Sequence, residues 1–341
     1  AAEAAESLVL TVFFEGTSNT LRPPTTQLGV FYHAITAQDI TERSPSSSQQ
    51  HYKIGFDGCG EAFGTRGVIF AHGLEEQCHQ VESKIKELLP RLVGNRLKVV
   101  VVGLSRGGCA AIILANRVAK QHPLDAPLDL QLLLFDPVPG NLISVYKTDL
   151  LGVSTASKSS DLRKAVHVRD VLALYPYQPL PTFAFHAPVL PKYPEGITVE
   201  EDVTLGCHQG ALFRPSAQHP ECVLACVRVH DFLRKHGVVV DSSKFSFHLP
   251  SDQDARQVAE QAVQEASASE RFCHSSPAKK ILRFTTGRYL NRHHWRLQGA
   301  PALPEGSEEV VFMLDIRNDT WFAASSSAST SAARVSQRAS E

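Results

Sequence analysis

Apolar residues gather along this chain in short runs, each closed by glycine, proline or polar residues. Ser7–Phe14 (SLVLTVFF) reads as a strand, closed by the turn-rich EGTSNT. Tyr52–Phe56 is a weaker strand, followed by the glycine-dense DGCGEAFGTRG. Leu74, Cys78, Val81, Ile85 and Leu88 recur at three- and four-residue intervals. They line one face of a helix that should stop near Pro90 and Gly94. Lys98–Leu104 contains four successive valines, as a strand buried on both faces should. Leu128–Phe135 is another strand, ending in DPVPG, and Val166–Tyr175 is one more. Cys222–Lys235 has a helical pattern. Strands and helices taking turns predict an α/β fold, a mainly parallel sheet with helices on both faces. No internal repeat is visible.

The valine run leads straight into chemistry. Gly103-Leu104-Ser105-Arg106-Gly107-Gly108 follows it, and then Ala111, Leu114, Ala115 and Val118 fall on one helical face. Glycines at these places fit a sharp strand-to-helix turn with Ser105 at its tip. A plain tight turn would use the same residue types. After a buried strand and before a helix, however, the context matches a nucleophile elbow, which exposes a serine hydroxyl to substrate.

A serine nucleophile needs a base, and the base needs an acid to hold its tautomer. In the elbow architecture they follow in the order Ser, Asp or Glu, His. Asp136 stands where the apolar run LQLLLF ends, at the carboxyl edge of the expected sheet, although an Asx-type turn before Pro137 is the alternative. Asp170, within VHVRDVLALYP, is the reserve acid, its mid-strand place favouring a structural role. Among 15 histidines, His167 begins a strand, His230 and His236 lie on a helix, and His293 and His294 sit in a basic segment. His208, between Gly206 and Gly210 in TLGCHQGALF, comes after Ser105 and Asp136 on an expected loop. It is the candidate base.

Five stretches then occur in a telling order: VFFEGTSN, IGFDGCG, GLSRGG, LLLFDPV and LGCHQGA. Together, over roughly residues 7–235, they resemble an α/β-hydrolase family that includes bacterial type VI secretion phospholipase effectors. The resemblance implies Ser105 as nucleophile, Asp136 as acid and His208 as base. It also implies backbone N–H donors to the oxyanion from Gly16 or Thr17 and from Arg106. The chain departs from the family in two places. Glu15 stands where the family usually has Asp, and His208 lacks the glycine run that commonly follows the family's histidine.

Composition narrows the reading further. The 341 residues are 43% hydrophobic, enough for a large core, and the net charge of -1 offers no general attraction to nucleic acid or membrane. Seven cysteines, an odd number without small-scaffold spacing, favour free thiols in a reducing compartment. No stretch approaches the roughly 20 apolar residues of a spanning helix. The acidic start, AAEAAESLVLTVFF, has too short an apolar run for a secretory signal and no initiator Met. A cytoplasmic location, or delivery without a recognisable N-terminal signal, is expected. DGCGEAFGTRG lacks the Gly-Lys-Ser/Thr of a phosphate-binding P-loop, so its glycines are read as shaping loops near the site. No metal or other cofactor is required.

The chain divides into a hydrolase-like domain over 1–250, an extension over 251–322 and a disordered tail over 323–341. Ser251 caps a helix-like stretch, SDQDARQVAEQAVQEA. Residues 279–296 hold six Lys or Arg, no acid, and Phe284, Tyr289 and Trp295. Such a segment suits an anionic membrane surface, or else a solvated basic face; nucleic acid is not expected as a partner. The expected reaction is ester hydrolysis, with lipid or phospholipid as substrate. A soluble small-acyl esterase or thioesterase and an inactive binding module stand as alternatives.

Overall fold

The computed structural model describes residues 7–59, 73–92, 94–138, 158–159, 161–176, 191–204, 221–245, 247–251, 253–257, 311–315 and 320–324. The expected base His208, the basic segment 279–296, most of the glycine-dense stretch and the tail beyond 324 lie outside them.

Seven strands form one sheet: β1 (Leu8–Phe14), β2 (Gln38–Asp39), β3 (His51–Phe56), β4 (Leu97–Leu104), β5 (Leu128–Phe135), β6 (Val168–Pro176) and β7 (Thr198–Thr204). Their spatial order is β2-β3-β1-β4-β5-β6-β7 and every pairing is parallel. The helices are α1 (Gln27–Ala34), α2 (Leu74–Leu88), α3 (Arg106–Gln121) and α4 (Glu221–Lys235). A separate antiparallel pair, β8 (Val311–Asp315) and β9 (Thr320–Ala324), follows. It takes in Ala323 and Ala324, which composition assigns to the disordered tail.

The valine run explains the layering. Val99 and Val101 face a core built with Cys78, Val81 and Ile85 of α2 and with Ala111 and Leu114 of α3. Val100 and Val102 face the other way, into Leu28 and Phe31 of α1 and Cys226, Val229 and Phe232 of α4. A strand covered on both sides needs apolar residues at consecutive positions, because side chains alternate across the sheet. The fold is α/β-hydrolase-like, with helices on both faces of a parallel sheet. Among the described residues no helix is long and apolar enough to cross a membrane.

The strand order also places a crevice. From β1 the chain moves to β3 on one side, whereas from β4 it moves to β5 on the other. The chain therefore leaves β1 and β4 toward opposite sides of the sheet, which makes their carboxyl ends the switch point. Open α/β sheets bind their ligands at such a switch point.

Asp170, the reserve acid, lies far from the serine turn. It is the third residue of β6, at the opposite edge of the sheet from Ser105. There it pairs with Lys235, and His236 Nε2 lies 3.0 Å from its carboxylate. Breaking this half-buried ion cluster with Asp170→Asn should lower the urea midpoint by an amount equivalent to about 1–3 kcal/mol. Any hydrolase activity should stay at the wild-type level. Lost turnover with unchanged stability would make Asp170 the acid instead.

Candidate active site

The turn after β4 is built by what cannot fit in it. A Cβ at Gly103 would lie 2.3 Å from the Gly107 carbonyl oxygen. At Gly107 it would lie 2.1 Å from the Phe14 carbonyl oxygen, at the end of β1. Both glycines of the Gly-x-Ser-x-Gly are therefore required by close backbone approach. Between them Ser105 is forced to φ 55° and ψ -118°, a conformation that L side chains rarely adopt. It is the N-cap of α3 and only 7% exposed.

Hydrogen bonds lock the elbow to the end of β5. Ser105 N–H donates to the Phe135 carbonyl at 2.8 Å, and Val138 N–H donates to the Ser105 carbonyl at 3.2 Å. Asp136 sits inside that grip, buried, at φ 41°, with its own N–H on the Leu174 carbonyl at 2.8 Å. Asp tolerates this left-handed backbone better than most residues. Gly108 packs against Pro137, where a Cβ would meet the proline Cβ at 2.9 Å. Ser105 and Asp136 thus leave adjacent strands at the same edge of the sheet.

The loop after β1 closes the third side. Arg106, buried beside Ser105, donates from Nη1 to Thr17 Oγ1 at 2.6 Å. Gly16 N–H donates to Glu15 Oε2 at 2.9 Å, so the Gly16 donor named in the sequence is already engaged. Among the described residues the Thr17 N–H has no acceptor. Gly58, from the glycine-dense stretch after β3, packs so tightly that a Cβ there would overlap the Gly16 carbonyl oxygen at 1.8 Å.

Glu15 is the group that sequence reasoning left without a role. It is 2% exposed, and its Oε1 accepts from Thr26 Oγ1 at 2.5 Å. Burial, with the nearby Asp57 adding to it, pushes its carboxyl up to about 7 against the hydrogen bonds from Thr26, Gly16 and Gly29 that oppose the shift. The one signal in the residues themselves was a carboxylate directly after a strand that is apolar but for Thr11.

The other histidines on described elements go elsewhere. His167 is buried at the start of β6, with Nε2 on the His122 carbonyl at 3.3 Å. His236 serves Asp170, and His230 rests beside Asp231 and Phe245. Three of the described thiols are held in the protonated, weakly nucleophilic form. Burial pushes Cys109 up to about 12 and raises Cys78 and Cys226 as well. Five cysteines are described, and all five are free. Among the described residues no three His, Cys, Asp or Glu side chains converge on a metal position.

No family model matches the chain, and no curated protein matches it. Solved structures do. An uncharacterized protein from Pseudomonas aeruginosa is similar over 89% of this chain and 57% of its own, at 14% identity and TM-score 0.49. This chain therefore spans little more than half of that protein. A candidate hydrolase from Agrobacterium vitis S4 is similar over 66% of this chain and 87% of its own, at 14% identity and TM-score 0.40. LpqC, a poly(3-hydroxybutyrate) depolymerase from Bordetella parapertussis, is similar over 74% and 84%, at 11% identity and TM-score 0.35.

The strained serine predicts a trade between stability and reactivity. A residue held in so sparse a backbone region costs about 1–3 kcal/mol, which glycine largely escapes. Ser105→Gly should therefore unfold at higher urea than Ser105→Ala, by about 1 kcal/mol. Equal midpoints would show that the elbow holds no strain at this residue.

Proposed function

We propose that the chain is a serine hydrolase of carboxylic esters, with Ser105 as nucleophile, Asp136 as acid and His208 as base. The observation that carries this reading is Ser105 at φ 55° on the turn between a buried parallel strand and a helix. Asp136 at the end of the next strand supports it. His208 enters from its sequence order and its glycine-flanked surroundings alone.

In this reading His208 takes the Ser105 proton as Oγ attacks the acyl carbon, and Asp136 holds the resulting imidazolium. The carbonyl oxygen becomes an oxyanion beside the N-terminus of α3. The backbone N–H of Arg106 and that of Thr17 stabilise it, each such donor being worth about 10²–10³ in rate. His208 then returns the proton to the leaving alcohol, and water repeats the sequence to release the acid. The chain's motif resemblance adds lipid or phospholipid esters as the substrate class. The six cations of 279–296 add an anionic surface, each contributing about 1 kcal/mol near it.

A fluorophosphonate probe should label the wild type and leave Ser105→Ala unlabelled, with the thermal midpoint nearly unchanged. Full labelling of that variant would place the nucleophile elsewhere. Reversing Arg288, Arg292 and Arg296 should reduce hydrolysis of anionic vesicles and its salt sensitivity, while a short p-nitrophenyl ester turns over as before. Equal losses on both substrates would make the segment a part of the fold. Faster turnover of the short ester than of any vesicle lipid would mark a soluble esterase.

A further inference from the structure

The serine hydrolase reading assigns no work to Glu15, yet few carboxylates in the molecule are so completely enclosed. One of its oxygens holds the Gly16 N–H at 2.9 Å and the other holds the Thr26 hydroxyl at 2.5 Å. Thr26 is itself the N-cap of α1, accepting from Leu28 N–H at 3.1 Å. The carboxylate therefore ties the first residue of the β1 exit loop to the last one before α1. Thr17 is the next residue along that loop, and its hydroxyl is fixed to Arg106, the neighbour of Ser105. Further along, Ser18 N–H on the Cys59 carbonyl and Gly58 N–H on the Asn19 carbonyl tie the loop to the one after β3, so Glu15 and the elbow hold its first turn.

We propose that Glu15 is a positioning residue for the hydrolysis, clamping the β1 exit loop through Gly16 and Thr26 so that Thr17 stays in register with the elbow. This rests on the ester-hydrolase reading for its catalytic consequence and on the hydrogen bonds alone for the clamp. A loop displaced by about 1 Å can cost on the order of 10²-fold in rate. The loss should fall on kcat, because oxyanion contacts form in the transition state and not with bound substrate.

The ionised carboxylate suits the clamp better than the acid. Ionised, its two oxygens receive both clamp donors, the Gly16 N–H and the Thr26 hydroxyl, beside the Gly29 N–H. Protonated, its own hydrogen and the Thr26 hydroxyl hydrogen compete for one short contact, and one must turn away. The charged groups around it are Asp57, from the loop after β3, which disfavours ionisation, and Arg106, which meets the same loop through Thr17. Glu15 therefore protonates near neutrality, at about 7, in the range where an ordinary histidine base also does. Below that range log(kcat/KM) should fall with a slope approaching two, one proton for each group.

The test compares wild type with Glu15→Gln, Thr26→Val and Thr26→Ser on p-nitrophenyl butyrate between about pH 5 and pH 9. Glutamine can accept from only one of the two donors. Glu15→Gln and Thr26→Val should lose about 10- to 100-fold in kcat with KM within a factor of about two. Thr26→Ser, which keeps the hydroxyl, should recover most of the rate. The acid limb of Glu15→Gln should drop to a slope of one. Hydrogen exchange at Gly16, whose N–H is held by Glu15, supplies a readout that needs no turnover: protection there should fall at least about tenfold in Glu15→Gln. Unchanged exchange overturns the clamp. Lost protection with an unaltered kcat, or with kcat and KM shifting together, overturns the positioning role. A slope of one in wild type overturns the requirement for the ionised form. If the wild type neither labels with fluorophosphonate nor hydrolyses the ester, the hydrolase reading has failed, and exchange alone judges the clamp.

Discussion

The mouth of the sheet is fitted around a backbone contact that leaves no room for a side chain. Residue 107 lies so near the end of β1 that even a methyl group would sit 2.1 Å from the Phe14 carbonyl oxygen. That approach brings the first turn of α3 against β1 while the Phe135 and Val138 backbone grips it from β5. With both neighbouring loops that close, the turn has only one backbone path, and the serine at its tip must take the strained conformation. The same approach brings Arg106 within reach of Thr17. Ser105, Asp136 and the β1 loop are therefore consequences of one packing decision, and the two flanking glycines are what permits it.

Much of this was legible in the chain, and what was not has a physical reason. β4 and β5 carry apolar residues at nearly every position because both of their faces are covered, so their bounds follow closely from the sequence. The α2 stripe from Leu74 to Leu88 was equally plain, one face being buried and the other wet. The two-residue β2, the β8–β9 pair, β7 and α1 escaped. β7 reads TVEEDVT, an edge strand whose acids pair with Arg228 and Arg256 rather than marking a core. α1 is nearly all buried and so shows no polar face to contrast with an apolar one. At the site, Ser105 and Asp136 sit at the ends of strong strands, which is why order and context alone could nominate them. Glu15 and Thr26 could not be paired that way. They are separated by an irregular loop, and only the fold brings them together.

The position of β1 between β3 and β4 has a consequence for how the molecule is assembled. Every neighbouring pair in the large sheet is parallel, so no pair can close as a local hairpin. The first strand made is a central one, and its partner on one side, Leu97–Gly103, is made only after β2, β3 and α2. As the chain is synthesised, Leu8–Phe14 must wait with one edge open until the valine strand emerges. The serine turn is the next thing synthesised after that strand. The last central gap in the N-terminal half of the sheet and the strained serine turn are thus completed within a few residues of each other, and a chain stopped short of α3 has neither.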